Sequence, residues 1–152
     1  MKKILISLFC VSLLFAVSCN PIENNEEKEP EKEYYSAKQK EALAILHGSF
    51  SYTFYGITTK LTFSQPYAKP VEVAMEDGSK TETHGKFTIL YYEGSSYEKL
   101  YRIHQDGKKI SIYSTYNSVI VKTEVKDFQY VDANTFKWKA TNDMQWDTYK
   151  RD

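Results

Sequence analysis

The sequence predicts an all-β domain: an antiparallel up-and-down meander of eight or nine strands, closed into a β-barrel, after one short N-terminal helix. Apolar and polar residues alternate with a period of two from residue 50 onward, which indicates strands with one buried and one wet face. Turn residues interrupt this pattern about every ten residues, as in sandwiches and barrels. The strand segments are too closely spaced for crossover helices, and closure into a barrel removes unpaired sheet edges.

The single convincing helix is predicted from Ser36 to Leu46. Ser36 can cap its first turn, and Gln39 follows three residues later, which is the spacing of a capping box. The residues in between favour or tolerate helix, and Gly48 is expected to end it.

The alternating segments after the helix are the predicted strands. Asp77-Gly78 and Asp106-Gly107 each lie between two such segments, and they are the strongest hairpin signals because tight hairpins need residues that tolerate positive φ. Further turns are predicted at Gly56 and at residues 115–117, 132–134 and 142–143. The alternating apolar positions include Phe50, Leu61, Phe87, Ile103, Ile110, Ile112, Val119, Val121, Val125 and Phe136.

The first 18 residues are predicted to be a signal peptide. After two lysines, residues 4–17 form an uncharged apolar run of 14 residues, shorter than the roughly 20 residues that span a bilayer. Residues 16–19 (AVSC) resemble the lipobox of bacterial lipoproteins, with Ala16 where Leu is usual. The resemblance implies cleavage before Cys19, acylation of that residue with palmitate-like chains, and a stable membrane anchor. An ordinary secretory signal with an incidental Cys is the alternative.

Residues 19–33 are predicted to be a lipidated Cys followed by a disordered acidic tether, ahead of a barrel domain at residues 34–152. Between Asn20 and Glu33, six Glu and two Lys give a net charge of −4, and prolines oppose regular structure. The acidic run also resembles the surface-export signal of Bacteroidota lipoproteins, although a plain solvated linker fits the composition equally. These features predict an outer-membrane location on the periplasmic or cell-surface side.

The layout of the domain resembles the lipocalin-like domains of Bacteroidota lipoproteins. The resemblance is carried by residues 48–50 (GSF) after the helix and residues 146–151 (WDTYKR) at the end. In that fold a Trp of the first strand packs under an Arg of the closing strand, a favourable cation–π contact. Phe50 stands here in place of the Trp, and Arg151 or Lys150 in place of the Arg. The resemblance implies a barrel and says little about a ligand.

The sequence contains no recognisable set of catalytic or metal-binding residues, so neither an enzyme nor a cofactor is predicted. His47, His84 and His104 lack the spacing of a metal site and are predicted to be strand-end or surface histidines. No nucleophile, phosphate-binding or calcium-loop motif occurs. The near-neutral domain does not indicate a nucleic-acid partner. Three basic pairs are assigned to the solvated face of the barrel: Lys108 with Lys109, Lys122 with Lys126, and Lys137 with Lys139.

The aromatic content is unusual, with 13 Tyr, 8 Phe and 2 Trp. The predicted register points seven large side chains inward, and these are the candidate ligand-binding residues: Tyr52, Phe54, Phe63, Tyr91, Tyr101, Trp138 and Trp146. It points three tyrosines outward: Tyr55, Tyr92 and Tyr113. An eight-stranded barrel can be filled by side chains or hold one small ligand, and so many large residues favour a filled or shallow interior.

Two functions remain open at the level of sequence. The first is a lipid-anchored envelope module, attached to the membrane through Cys19, that binds a small apolar, amphipathic or glycan ligand. The second is a protein-interaction or structural envelope lipoprotein with a filled core and no ligand. Outward tyrosines clustered in one patch would favour the second function.

Overall fold

The computed structural model describes residues 32–91 and 94–152. The predicted signal peptide, Cys19, most of the tether and Tyr92 lie outside these residues. The described elements in chain order are α1 (Ala37–Ile45), β1 (Gly48–Phe54), β2 (Ile57–Phe63), β3 (Val71–Ala74), β4 (Lys80–Thr83), β5 (Gly85–Leu90), β6 (Ser96–Ile103), β7 (Lys109–Tyr116), β8 (Val119–Asp132), β9 (Thr135–Ala140) and β10 (Asp147–Arg151).

Eight of these strands form a closed antiparallel barrel, so the predicted fold class is confirmed. Each barrel strand pairs with the next one along the chain, and β10 pairs back with β1; β3 and β4 form a separate hairpin between β2 and β5. The antiparallel order places the β1–β2, β5–β6, β7–β8 and β9–β10 turns at one end, which we call the mouth. The β6–β7 and β8–β9 turns lie at the other end, the base.

The helix closes the base of the barrel. It begins and ends one residue inside the predicted limits, and the predicted capping box is present: Gln39 N donates to Ser36 Oγ at 3.1 Å, and Ser36 N donates to Gln39 Oε1 at 2.8 Å. Gln39 Nε2 also donates to the carbonyl oxygen of Ile103, at 2.9 Å, where β6 ends. Leu43 packs into the core beneath the helix. The capped helix therefore covers the lower end of the barrel.

The turns follow the predicted glycine chemistry. Gly78 joins β3 to β4 with φ of 82°, and Gly107 joins β6 to β7 with φ of 69°. Tyr55 and Gly56 both have positive φ, 48° and 80°, in the two-residue β1–β2 turn. This is the backbone that matches the twist of tight hairpins.

The C-terminal arginine ties the first strand, the last strand and the helix together at the base. Arg151 lies opposite Phe50 in the β1–β10 ladder, and its guanidinium carbon is 4.6 Å from the ring centroid of Phe50. The expected contact is present, with Arg151 rather than Lys150 as the cation. Gly48 leaves room for it, because a Cβ there would lie 2.8 Å from Arg151 Nη1. The guanidinium donates hydrogen bonds to the carbonyl oxygens of Ile45, His47 and Ala133.

Replacing Arg151 with Met is expected to lower the free energy of unfolding by about 2 kcal/mol, because several carbonyls lose a charged donor and the cation–π contact disappears. Urea unfolding followed by tryptophan fluorescence measures this loss. Lys150→Met is the matched control, since Lys150 is the exposed neighbour, and it should change stability by less than about 0.5 kcal/mol. Equal losses in the two variants would contradict the role given to Arg151.

The base half of the barrel is filled by aromatic rings around Phe136. Its ring centroid lies 5.0 Å from that of Phe50 and 5.1 Å from that of Tyr149. Phe63 and Tyr101 lie in the same core and are almost completely buried. Aromatic side chains therefore pack this half of the barrel.

The β3–β4 hairpin covers part of the outer wall. Tyr113 was predicted to lie on the outer face, but it is only 3% exposed because the hairpin lies over it, with Thr81 Oγ1 3.3 Å from the Tyr113 hydroxyl. Ile120 is buried in the same way, beside Met75 after β3. Tyr113 therefore points outward from the barrel, as predicted, but the hairpin shields it from solvent.

The alternation along β8 is the reverse of the predicted one. Val121 and Val125 are exposed, whereas Glu124 and Lys126 line the barrel interior. Glu124 lies directly opposite the inward-facing Ile112 of β7, and residues opposite each other in a ladder share a face. The assignment of Lys126 to the solvated face is therefore wrong.

His84 lies between β4 and β5, which fits the predicted strand-end position, but it is buried and does not reach the surface. His84 is 1% exposed, and its Nδ1 accepts a hydrogen bond of 3.1 Å from Ile103 N. Burial, followed by the charges of Arg102 and His104, lowers the pKa of His84 to about 4. His47 is exposed, as predicted.

Candidate ligand pocket at the barrel mouth

A cavity of about 230 Å³ occupies the mouth half of the barrel. All eight barrel strands take part in forming its wall, so the cavity is a product of closure and not of a single loop. Its lining residues are Tyr52, Thr59, Leu61, Ile89, Tyr91, Lys99, Ile112, Glu124, Lys126, Trp138, Asp147 and Tyr149.

The floor of the cavity is apolar and aromatic. Leu61, Ile89 and Ile112 are buried there. The rings of Trp138 and Tyr149 lie beside them, with centroids 5.1 Å apart. Burial, and then the nearby carboxylate of Asp147, raise the pKa of Tyr149 above its usual range, so its hydroxyl stays protonated. The floor therefore offers an apolar surface with one hydroxyl.

One wall carries a concentration of lysines around a single carboxylate. Lys122 Nζ lies 2.9 Å from Glu124 Oε1. That hydrogen bond lowers the pKa of Glu124, and the charges of Lys122, Lys126 and Lys99 lower it further. Lys126 Nζ lies 5.5 Å from the ring centroid of Trp138, and Lys99 Nζ donates to Ser114 Oγ at 2.5 Å. This wall therefore carries three lysines and one carboxylate, of which Lys122 and Glu124 form an ion pair.

The opposite wall pairs a carboxylate with a phenol. Burial, and then a hydrogen bond to Asp147, raise the pKa of Tyr52. The ring of Tyr52 lies 5.3 Å from that of Tyr149 below it and is stacked at 6.2 Å on Phe54 above it. An aromatic series therefore runs from the rim of the mouth to the core at Phe136.

The structure brings three of the seven candidate ligand-binding residues together. Tyr52 and Trp138 line the cavity, and Tyr91 stands at its upper edge, 46% exposed. Two others, Phe63 and Tyr101, were correctly predicted to point inward, but they belong to the filled base.

The two remaining candidates lie outside the cavity lining. Phe54 is 47% exposed on the rim, where it borders an open groove with Met144. Trp146 is partly buried beneath Lys139, whose Nζ is 5.5 Å from the indole ring centroid. Phe54 is the last residue of β1 and shares the face of Tyr52, on which it stacks, but it lies above the cavity. Trp146 directly precedes β10, whose inward residues are Asp147 and Tyr149, so the predicted inward direction of Trp146 is wrong.

The charged residues of the cavity lining were not predicted from the sequence. Lys99, Glu124, Lys126 and Asp147 were not among the candidates, because charged strand positions were assigned to solvent. A signal was present for two strands: Lys99 is in register with Tyr101 and Ile103, and Lys126 with Phe128. Side chains two residues apart on a strand share a face, so the apolar residues deeper in each strand point these lysines inward.

No family model, curated protein or solved structure matches the chain significantly. The case for a function therefore depends on the pocket and on the sequence features described above. Among residues 32–91 and 94–152, no helix is long and apolar enough to cross a membrane. The same residues contain no group of three or more His, Cys, Asp or Glu side chains placed to hold a metal ion.

Proposed function

We propose that the protein is a lipid-anchored binding module of the cell envelope that holds a small amphipathic ligand in the barrel mouth. The observation that carries the proposal is the cavity itself, built by all eight strands with an apolar floor and charged walls. Ligand sites typically combine an apolar lining with a few placed polar groups. At about 230 Å³, the cavity lies below the roughly 300–1,000 Å³ of drug-sized sites, which favours a small ligand or the end of a longer one.

Different lining residues would contact the apolar and the polar parts of the ligand. The apolar body of the ligand would displace water from Leu61, Ile89 and Ile112, which is favourable in proportion to the area covered. Trp138 and Tyr149 would contact a ring or chain from the side. The charged side chains of the lining would receive the polar end. An amphipathic ligand fits this mixed lining better than a wholly apolar one.

The membrane anchor is supported by the N-terminal sequence. The lipobox-like residues 16–19 and the acidic segment after Cys19 suit a tethered outer-membrane lipoprotein. The tether would hold the barrel away from the bilayer with its mouth accessible. Labelled palmitate should be incorporated by the wild type in its host and lost in Cys19→Ser; label retained in that variant would refute the anchor.

Filling the cavity should abolish binding without unfolding the barrel. Thr59→Trp places an indole in the cavity, and it should weaken binding of the neutral probe N-phenyl-1-naphthylamine at least about tenfold, as expected when a pocket that covers most of a ligand is occupied. Probe fluorescence measures the affinity. Thr58→Trp is the matched control because Thr58 is the exposed neighbour on the same strand, and it should bind like the wild type.

Two results decide the ligand proposal. Native mass spectrometry of the protein purified gently from its own host should show an additional mass that denaturation removes. Unchanged probe binding in Thr59→Trp, together with a bare mass from the host, would refute a ligand function for the mouth.

A second candidate function, protein docking, is favoured by the rim. Exposed apolar and aromatic side chains project from each of the four mouth turns: Phe54, Tyr55, Ile57, Tyr91, Tyr97, Tyr116 and Met144. Exposed patches of this kind mark interaction sites. Of the tyrosines predicted to point outward, Tyr55 lies in this patch, whereas Tyr113 is covered by the β3–β4 hairpin. A photo-crosslinker at position 55 should then capture one envelope protein in the host, while the same group at exposed Gln129 should not. Capture from both positions would count against docking at the mouth.

A further inference from the structure

We infer that the ligand of the mouth pocket carries an oxyanion, a carboxylate or a group of similar charge, held between Lys99 and Lys126. The inference rests on the proposed function and specifies the chemistry of that same pocket. The two lysines stand on β6 and β8, on either side of β7, and both line the cavity. They face the same cavity from the two strands that flank β7.

The charge distribution of the pocket favours an anionic ligand. Glu124 is already paired with Lys122, whose Nζ lies 2.9 Å from Glu124 Oε1, while Lys99 and Lys126 also line the pocket. The contacts of Lys99 and Lys126 described above are a neutral hydroxyl and an indole face. A half-buried ammonium group loses part of its hydration free energy. Attraction to an anionic partner in a site of low dielectric offsets that cost. Once Lys122 is paired with Glu124, the charges of Lys99 and Lys126 on this wall remain without an anionic partner among the contacts described.

The acidic groups of the lining do not offset this preference. Asp147 stands on β10, on the β1–β10 side of the pocket, where burial and then its carboxylate raise the pKa of Tyr52. Glu124 lies within the lysine group itself. The pocket is consequently polarised, with its positive side at β6–β8. A ligand with its apolar body on Ile89 and Ile112 would place its polar end against that side.

Because the two basic residues are lysines, the geometry of the oxyanion is only weakly restricted. An ammonium group is a compact charge on a flexible stem, and it does not impose the planar two-point geometry of an arginine fork. A carboxylate, a sulfonate and a phosphate monoester would each satisfy two lysines. The apolar floor restricts the remainder of the molecule to a short chain or a small ring system.

Three probes with one ring system test the inference: 1-naphthoate (anionic), 1-naphthamide (neutral) and 1-naphthylmethylammonium (cationic). The mature lipidated chain in phosphatidylcholine nanodiscs is titrated with each probe by calorimetry, and empty nanodiscs give the background. We expect naphthoate to bind about tenfold or more tightly than naphthamide, and the cation to bind most weakly, since charge complementarity sets specificity. The preference should shrink in high salt, because screening weakens it.

The variants separate charge from packing. Lys99→Met combined with Lys126→Met should remove the preference for naphthoate while the affinity for naphthamide changes less than about twofold. Lys108→Met with Lys150→Met, two exposed lysines, should leave the preference intact. Lys126→Arg keeps the charge and should keep the preference, which provides an answer if the double methionine variant fails to fold.

The outcomes distinguish the inference from the proposed function. Equal affinity for naphthoate and naphthamide, both lost in Thr59→Trp, would overturn the oxyanion while leaving the pocket as a ligand site. Tightest binding of the cation would also overturn it and would point to Asp147. Failure of all three probes to bind would overturn the inference together with the proposed function.

Discussion

Phe136→Ala should be the most damaging single substitution in the barrel, lowering the free energy of unfolding by about 3–5 kcal/mol. Phe136 is completely buried, and its ring meets those of Phe50, Phe63, Phe128, Trp138 and Tyr149. Truncation removes the ring from the centre of the cluster and leaves a cavity that the surrounding strands cannot close, because the hydrogen-bonded barrel fixes their spacing. Urea unfolding monitored by circular dichroism measures the loss.

The control for this prediction is a substitution of another aromatic residue where no packing is lost. Tyr116→Ala lies on the exposed β7–β8 rim and should change stability by less than about 0.5 kcal/mol. A loss of under about 1 kcal/mol for Phe136→Ala would mean that the base is loosely packed. The division between a filled base and an open mouth would then fail.

Lowering the pH from 7 to 4 should destabilise the fold by about 3 kcal/mol through His84 alone. Burial, and then the charges of Arg102 and His104, hold the pKa of His84 at about 4 in the folded chain, below the 6.5 that is usual for histidine. The unfolded chain therefore takes up a proton between pH 6.5 and 4 that the folded chain does not. Stability through this group is complete above pH 6.5, falls through that window and levels off below about pH 4.

The difference between two pH profiles isolates this contribution, since carboxylates also titrate near pH 4. His84→Gln should be less stable than the wild type at pH 7, and its deficit should shrink by about 3 kcal/mol by pH 4 because the protonation penalty is gone. Exposed His47→Gln should follow the wild type throughout. Parallel curves for the wild type and His84→Gln would contradict a neutral, buried His84.

The aromatic excess serves two different purposes along the barrel axis. In the base, rings such as Phe63 and Phe136 pack edge to face at 5.9 Å and give the domain a core without help from a disulfide. Near the mouth, Tyr52 and Tyr91 stand beside charged groups and open space. Tyrosine suits this boundary because its ring is apolar while its hydroxyl accepts water or a ligand.

The sequence by itself determined the local elements and the class of fold. The cap at Ser36 with Gln39, the glycine turns and the period of two depend only on near neighbours along the chain. The contact of Phe50 with a basic residue of the last strand was implied by the resemblance to lipocalin-like domains, which left Arg151 and Lys150 both open; the structure selects Arg151.

Only the tertiary structure decided which faces are inside and what lines the pocket. Both faces of β8 carry apolar residues, so its own alternation is ambiguous, and the pairing of Glu124 with Ile112 of β7 fixes the choice. Tyr113 is buried because a hairpin from a distant segment lies over the barrel wall. Lys99 and Lys126 come together because closure aligns β6 and β8 around β7. Each outcome depends on strands far apart in sequence, where pairing rather than local pattern determines which way a side chain points.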